Sequence, residues 1–391
     1  MKIKECRACK RTDLPVVFSL GEMCYAGVFP AADGPDPPVG ELTIVECQEC
    51  QLAQLHEDYD VTEFYGPTYG YRSGLNSSMV DHLEWVVAKS MGAGETLVPG
   101  DAVLDIGSSD GTLLNAYPEW LDRTGVDPQA GRFQAFYHAD IDVIPEFLGE
   151  NTLTGRQYKR ITAIAMMYDL PDPKFFLETV KELLHPDGLF IFEVPTLPQI
   201  FENTNYDTIC HEHLEYYSST SIHKLLRKVG LFPTMQMFTK TNGGSMVFVT
   251  KPSALDYGIE KEITPWKAFR EEAALSRAEL RSYLRKNPMP ALGASTKGNV
   301  ILQYCGLTKD EVPYIYDVNP AKFHCETPGT RIPIKAEPTW LKGLEDRLLV
   351  LPWHFADNFR ERYAEFLNDG GELVFPLPKL RIMTKTGWRE P

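Results

Sequence analysis

The sequence predicts an α/β protein with an N-terminal zinc-binding module, a central Rossmann-like domain and a C-terminal Rossmann-like α/β domain. Three observations predict it. Two Cys-x-x-Cys pairs stand within the first 65 residues. Residues 102–114 pass from an apolar strand through a glycine turn into an apolar helix start, and residues 291–299 repeat that succession with a small-residue turn. The divisions drawn from these signals are residues 1–65, 66–255 and 256–391.

At 391 residues and 43% hydrophobic, the chain is too long for one ordinary core and apolar enough for two or three. A formal net charge of -15 and a pI near 5.1 argue against nucleic acid or an anionic membrane as partner and leave room for a local basic pocket. The first residues lack the apolar stretch of a signal peptide, and no later run approaches the roughly 18 apolar residues of a membrane span. A cytoplasmic monomer or weak homo-oligomer is expected, its eight cysteines kept as thiols or metal ligands.

In the front module, Cys6/Cys9 and Cys47/Cys50 are two knuckles that each wrap a pair of thiolates around one side of a metal. Together they complete a tetrahedral four-thiolate site suited to Zn2+, with no open position, so the metal is expected to be structural. The competing reading is two redox pairs or plain buried thiols. The long gap between the knuckles carries its own turn chemistry at residues 33–38.

In the central domain, Asp105, Gly107, Ser108, Ser109, Asp110 and Gly111 form the turn after the first strand. Glycine at 107 and 111 lets backbone approach a ligand at the carboxyl end of a strand, where open parallel sheets bind. The acidic residues suit a cationic sulfonium donor, S-adenosylmethionine, better than a pyrophosphate, and the six-residue dinucleotide fingerprint is absent. Asp127 ends the next short strand, where a carboxylate accepts from both hydroxyls of a ribose. Residues 161–167 and 189–194 read as strands, 175–184 as a helix and 186–188 as a turn, which supports a doubly wound sheet.

Three further segments carry polar chemistry. His211 and His213 flank Glu212; if the segment is extended, both imidazoles share one face and the glutamate takes the other. An imidazole there suits a general base, with a paired structural role as the competing reading. Asn242 opens an Asn-Gly-Gly-Ser stretch that also fits a hairpin turn. Ser295, Lys297 and Asn299 belong to the second strand-turn-helix, whose backbone N–H groups and lysine suit an anionic group.

Taken in order, the knuckles, the Asp-x-Gly-Ser-x-Asp-Gly-Thr-Leu-Leu turn, residues 206–213 and residues 293–299 resemble the nucleotide-sugar C-methyltransferase family, over nearly the whole chain. That family includes the C-3 methyltransferases of deoxysugar pathways. The resemblance implies that the central domain is an S-adenosylmethionine-dependent methyltransferase domain and that a 4-keto nucleotide sugar sits between it and the C-terminal domain. It implies His213 as the base forming an enolate, with Glu212 as its partner; the ligand expected at Lys297 is then the diphosphate or nearby groups of the nucleotide sugar. Residues 68–76 resemble the family's tyrosine-bearing segment, with either Tyr69 or Tyr71 matching. Two departures stand out: Cys210 replaces a functional tyrosine, and Asn242 replaces the histidine of a His-Gly-Gly-Ser segment. Two other functions compete: S-adenosylmethionine-dependent O-methylation of a sugar hydroxyl, and a non-catalytic zinc-stabilised scaffold.

Overall fold

The computed structural model describes residues 1–60, 64, 72–252, 262–339 and 345–391; Tyr69 and Tyr71 lie outside the described residues. Strands β1 (Val16–Cys24), β2 (Val39–Glu46) and β3 (Ala53–Leu55) form an antiparallel sheet. The knuckles are alike in backbone: Lys10 and Gln51, each following the second cysteine of its pair, take positive φ. Each also returns its N–H to the first cysteine's carbonyl, Lys10 to Cys6 and Gln51 to Cys47. The same tight turn therefore aims both sulfur pairs inward.

The central domain runs α1 (Ser77–Gly92), β4 (Ala102–Ile106), α2 (Thr112–Ala116), β5 (Asp122–Val126), α3 (Ala130–Phe133), β6 (Asp142–Ile144), β7 (Tyr158–Ile164), α4 (Pro173–Leu183), β8 (Leu184–Pro195) and α5 (Leu197–Glu202). After β9 (Glu215–Tyr216) come α6 (Ser219–Val229), β10 (Phe232–Thr239) and β11 (Ser245–Lys251). The sheet order is β10-β11-β8-β7-β4-β5-β6, with five parallel strands and the β10–β11 hairpin antiparallel at one edge. The order reverses at β4, which places a crevice past the carboxyl end of that strand. Local chemistry sets the helices. Asp172 caps α4 by accepting from Phe175 N–H, and Pro173 occupies its first turn. Ser218 and Ser221 close a capping box on α6, and Gly230 ends it in the left-handed conformation. The turn expected at residues 186–188 lies inside β8. Its Pro-Asp-Gly chemistry makes an irregularity there, since β7 advances from Tyr158 to Arg160 while β8 advances from Leu184 to Leu189.

The front module has no private core. Strand β9 leaves the central domain to pair with β3, Ala53 opposite Tyr216, so a division at residue 65 cuts through a sheet. Cys6, Cys47, Cys50 and Leu52 pack into the apolar cluster of Leu104, Phe190 and Leu225. Phe18, Leu42 and Ile44 instead join the cluster of the C-terminal domain. The helix α7 (Trp266–Lys286) fastens that side: Phe269 lies 4.9 Å from the Phe18 ring, and Trp266 Nε1–H donates to Glu46 Oε2 at 2.7 Å.

The C-terminal domain follows with β12 (Ala291–Leu292), α8 (Thr296–Cys305), β13 (Ile315–Asp317), β14 (Ile334–Ala336), β15 (Arg347–Val350), α9 (Ala356–Arg362), α10 (Ala364–Asn368), β16 (Glu372–Phe375), β17 (Arg381–Thr384) and β18 (Gly387–Arg389). Its order, β14-β13-β12-β15-β16-β17-β18, repeats the outline of the central sheet, with the first strand inside and the reversal beside it. Two crevices of one design result, and both open into a single cleft of about 1550 Å³.

Candidate active site

The crevice past β4 is lined by Asp105, Gly107, Ser108, Ser109 and Asp127, with Ile164 to Met166 across from them. Gly107 has φ 75°, and a Cβ there would lie 3.1 Å from Met166 Cγ, so a side chain would crowd the wall. Asp127 is set by the turn it faces: Ser109 N–H donates to its Oδ2 at 2.9 Å and Gln129 N–H to its Oδ1 at 2.6 Å. Its carboxylate keeps lone pairs for ribose hydroxyls. Burial raises the Asp127 pKa against those two N–H bonds. Burial also pushes Asp105 up to about 7, opposed by its bond from Thr162 Oγ1–H, with the Asp127 charge adding to the rise. Two desolvated carboxyl groups in one crevice favour a cationic ligand, so the residues fit a sulfonium nucleoside.

Two members of the same turn do other work. Asp110 is absent from the cleft lining; it accepts from Arg72 Nε–H at 3.2 Å, Gly74 N–H at 3.1 Å and Thr112 Oγ1–H at 2.6 Å. Gly111 has φ 77° and would meet the Tyr137 ring at 2.6 Å if it carried a Cβ. That glycine makes room for Tyr137, whose hydroxyl bonds Ser108 Oγ at 2.8 Å and donates to the Ser109 carbonyl at 3.0 Å.

Residues 211 and 212 lie in a turn closed by His213 N–H donating to the Cys210 carbonyl. The extended alternation expected for the two histidines therefore does not apply. His213 and Glu212 both line the cleft, whereas His211 is fully buried outside it. Its ring lies 4.8 Å from that of Tyr25 and 5.1 Å from that of Tyr59, and its Nε2 reaches the Gly40 carbonyl at 3.3 Å. His211 holds the turn against the front sheet. His213 has a defined tautomer: Nδ1 sits 2.7 Å from the Thr208 carbonyl, which only accepts, so Nδ1 carries the proton and Nε2 the lone pair. Tyr168 supports the ring edge-on at 4.6 Å. Burial, with the Lys297 charge, pulls the imidazole down to about 4. Burial raises the Glu212 carboxyl, and its Oε2 has no partner among the described residues. Cys210 is fully buried and outside the cleft lining.

Lys297 enters the same cleft from the turn after β12, its Nζ donating to the Asn242 carbonyl at 2.7 Å. Burial lowers its pKa, and Asp207 and Cys210 act in the other direction. Asn242 has φ 54° in the hairpin between β10 and β11, so the hairpin reading and a place on the cleft both hold. Ser295 lines the cleft and caps α8 by accepting from Gly298 N–H. Asn299 does not line it; the fully buried side chain donates to the Ala26 carbonyl at 2.7 Å and ties α8 to the front module.

Several cleft residues were not assigned to the site from the sequence. Asp317, at the end of β13, echoes Asp127: Ala294 N–H donates to its Oδ2 and Asn319 N–H to its Oδ1, both at 2.8 Å. Lys322 lies 3.9 Å from that carboxylate. His354 follows β15 and lines the cleft. The crevice rule, applied to β15, points to the turn that holds residue 354. Gly27 carries no such signal; it matters because a Cβ there would fall 1.8 Å from Glu212 Oε1.

The sulfur atoms of Cys6, Cys9, Cys47 and Cys50 all lie within 4.8 Å of one another. Bonds of about 2.3 Å in a tetrahedron put sulfur atoms roughly 3.8 Å apart, so the cluster fits zinc. Among the described residues no helix is long and apolar enough to cross a membrane.

Comparison with known proteins agrees with this layout. A model described as a zinc binding domain matches residues 6–65, a methyltransferase domain model matches 88–234, and a C-methyltransferase C-terminal domain model matches 241–378. The C-methyltransferase NovU of Streptomyces niveus is 29% identical over a 415-residue alignment that covers 98% of this chain and 97% of NovU. Among solved structures, an S-adenosylmethionine-dependent methyltransferase from Clostridium acetobutylicum is 15% identical, with 44% of this chain and 91% of that one covered, at a TM-score of 0.34. The magnesium protoporphyrin IX methyltransferase of Synechocystis is 17% identical, with 45% and 79% covered, at 0.34.

Proposed function

From a chain that is an S-adenosylmethionine-dependent methyltransferase with a zinc-binding module, and a homologue of the C-methyltransferase NovU, we propose that it methylates a carbon beside the ketone of a nucleotide-linked 4-keto sugar. The observation that carries the reading is the His213 tautomer: a neutral imidazole whose Nε2 carries the lone pair, without a hydrogen-bond partner among the described residues, on the cleft that the β4 crevice also opens into. S-adenosylmethionine, held by Asp127 and the Gly107 turn, supplies an electrophilic methyl group. A carbon nucleophile must be made for it, so His213 removes the proton beside the ketone. The depressed pKa of His213 keeps the base free at neutral pH. The Lys297 ammonium that weakens this base also favours negative charge on the neighbouring ketone oxygen, so the developing enolate recovers what the imidazole loses. Glu212 offers a carboxyl group on the same cleft to the imidazolium that forms.

The nucleotide half belongs in the second crevice. Asp317 stands where Asp127 stands in the first, suited to a ribose, and Lys322 beside it suits a phosphate. The lysine near the diphosphate is then Lys322, and Lys297 serves the reacting end. Zinc, with four thiolates and no open position, holds the front module and takes no part in the chemistry.

Incubation with carbon-13 methyl-labelled donor and a panel of nucleoside diphosphate 4-keto-6-deoxyhexoses tests the reading by NMR of the product. A methyl carbon resonating in the aliphatic region supports it. A methoxy signal assigns O-methylation instead, and no label in any sugar rejects the substrate class.

A further inference from the structure

His354 stands at the start of the C-terminal wall of the cleft, in the 3-10 turn Trp353–Phe355 that directly follows β15. Strand β15 pairs in parallel with β12, Leu292 opposite Val350, so this turn lies beside the turn that delivers Lys297. A single turn orients His213 and anchors the residue before His354. The 3-10 turn Tyr206–Thr208 supplies the Thr208 carbonyl that orients His213. It also supplies Asp207, whose Oδ2 accepts from Trp353 Nε1–H at 2.7 Å, and Trp353 is the neighbour of His354. His213 and His354 thus approach one cleft from two domains, with His213 and the chain neighbour of His354 bonded to adjacent residues of one turn.

The two ring nitrogens of His354 differ. Nδ1 is buried with no hydrogen-bond partner among the described residues, whereas Nε2 is not sealed off in this way and the ring lines the cleft. A buried N–H without an acceptor costs more than a buried lone pair, so the proton belongs on Nε2, the nitrogen open to the cleft. Burial, helped by the Lys297 charge, holds this imidazole neutral, well below its usual pKa range. The cleft therefore presents two neutral imidazoles in opposite tautomers: His213 offers a lone pair at Nε2, and His354 offers an N–H.

We infer that His354 is the hydrogen-bond donor to the acceptor's ketone oxygen, beside the carbon that His213 deprotonates. This rests on the reading under Proposed function. In the step, the carbon-bound proton passes to His213 Nε2, the C–H electron pair becomes the carbon–carbon π bond of the enolate, and the carbonyl π pair moves onto the ketone oxygen. His354 keeps its own proton and shares it with that oxygen as the charge develops, alongside Lys297. A neutral imidazole is matched to this task, because its N–H strengthens with the enolate and adds no second positive charge beside the lysine.

The test isolates proton removal from methyl transfer. The full-length zinc-loaded protein, without methyl donor, is incubated in D2O with thymidine diphosphate 4-keto-6-deoxyglucose, and NMR follows loss of the proton beside the ketone. His354→Ala is expected to slow the exchange roughly 10²- to 10³-fold, the usual effect of removing one such donor, with methyl-donor affinity by calorimetry unchanged. His354→Gln, which sets an amide N–H near the position of Nε2, is expected to recover at least about tenfold of that loss, and His354→Asn, which places its amide near Nδ1, is not. Exchange in His354→Ala within about threefold of wild type overturns the assignment. If His354→Ala fails to bind the methyl donor, the Gln and Asn variants decide, and equal exchange in those two overturns it as well. A wild type that neither exchanges this proton nor methylates any sugar of the nucleoside diphosphate panel rejects the keto-sugar reading and this assignment with it.

Discussion

Gly27→Ala perturbs Glu212 without altering it. The backbone of Gly27 is not in the left-handed region, so alanine is conformationally acceptable there. The new Cβ would lie 1.8 Å from Glu212 Oε1 and 3.0 Å from its Cδ, with Thr296 Oγ1 next at 3.4 Å. An ordinary contact starts at 3.4 Å, so the carboxylate must withdraw by about 1.6 Å, the difference between those two distances. Crowding of this kind costs about 1–3 kcal/mol, within a typical total stability of about 5–15 kcal/mol, so the variant is expected to fold. A misplacement of roughly 1 Å at reacting groups can cost about 10²-fold in rate, equivalent to about 2.7 kcal/mol of barrier. Labelled methyl transfer at saturating acceptor should therefore fall about 10²-fold, while calorimetry shows unchanged methyl-donor affinity, since the atoms nearest to the new Cβ belong to Glu212 and Thr296. Glu212→Ala supplies the control: with the carboxylate gone there is nothing to displace, and adding Gly27→Ala should cost little more. An equal loss from Gly27→Ala in both backgrounds would refute a role acting through Glu212.

Two other outcomes follow from the geometry. Replacing Cys6 and Cys9 together by serine leaves two thiolates, so metal analysis should find zinc lost; because Cys6 packs in the same cluster as Leu104 and Phe190, the melting temperature of the central domain should fall too. A full complement of zinc in that variant excludes the site. For His213, burial holds the folded pKa at about 4 against 6.5 for the free side chain. Between those values the unfolded chain binds the extra proton, so this imidazole's contribution to stability is fully present above pH 6.5 and is lost as pH falls towards 4. Nitrogen-15 spectra should show a neutral ring protonated at Nδ1 down to pH 5.5, and a titration centred near 6.5 would contradict the buried, oriented base.

The fold was legible where local chemistry and periodicity agreed. The strand-turn-helix successions at residues 102–114 and 291–299 became β4–α2 and β12–α8. The paired knuckles became one sulfur cluster. What could not be read was long-range. Nothing local in Glu215 and Tyr216 says that they will pair with β3, or that Asn299 will turn away from a ligand towards the Ala26 carbonyl. The alternation argument for His211 and His213 failed for a physical reason: it holds for a strand of period two, and residues 211 and 212 lie in a turn. Gly111 is a similar case, since its need for glycine comes from Tyr137, 26 positions away.

The same distinction bears on Cys210, where a functional tyrosine was expected. Its side chain is fully buried and does not line the cleft, and burial pushes the thiol pKa up, with the Glu212 and Asp169 charges adding to the rise. A thiol held neutral inside the protein neither reaches an acceptor nor donates a strong hydrogen bond. Among the described residues, donors for a developing oxyanion must come from groups that do line the cleft, and Lys297 and His354 meet that condition. Both arrive from turns at the carboxyl ends of C-terminal-domain strands, while the methyl-donor crevice and His213 belong to the central domain. On the proposed mechanism the constellation is complete only when both domains enclose one substrate, which would give the C-terminal domain a chemical part beside any binding of a nucleotide.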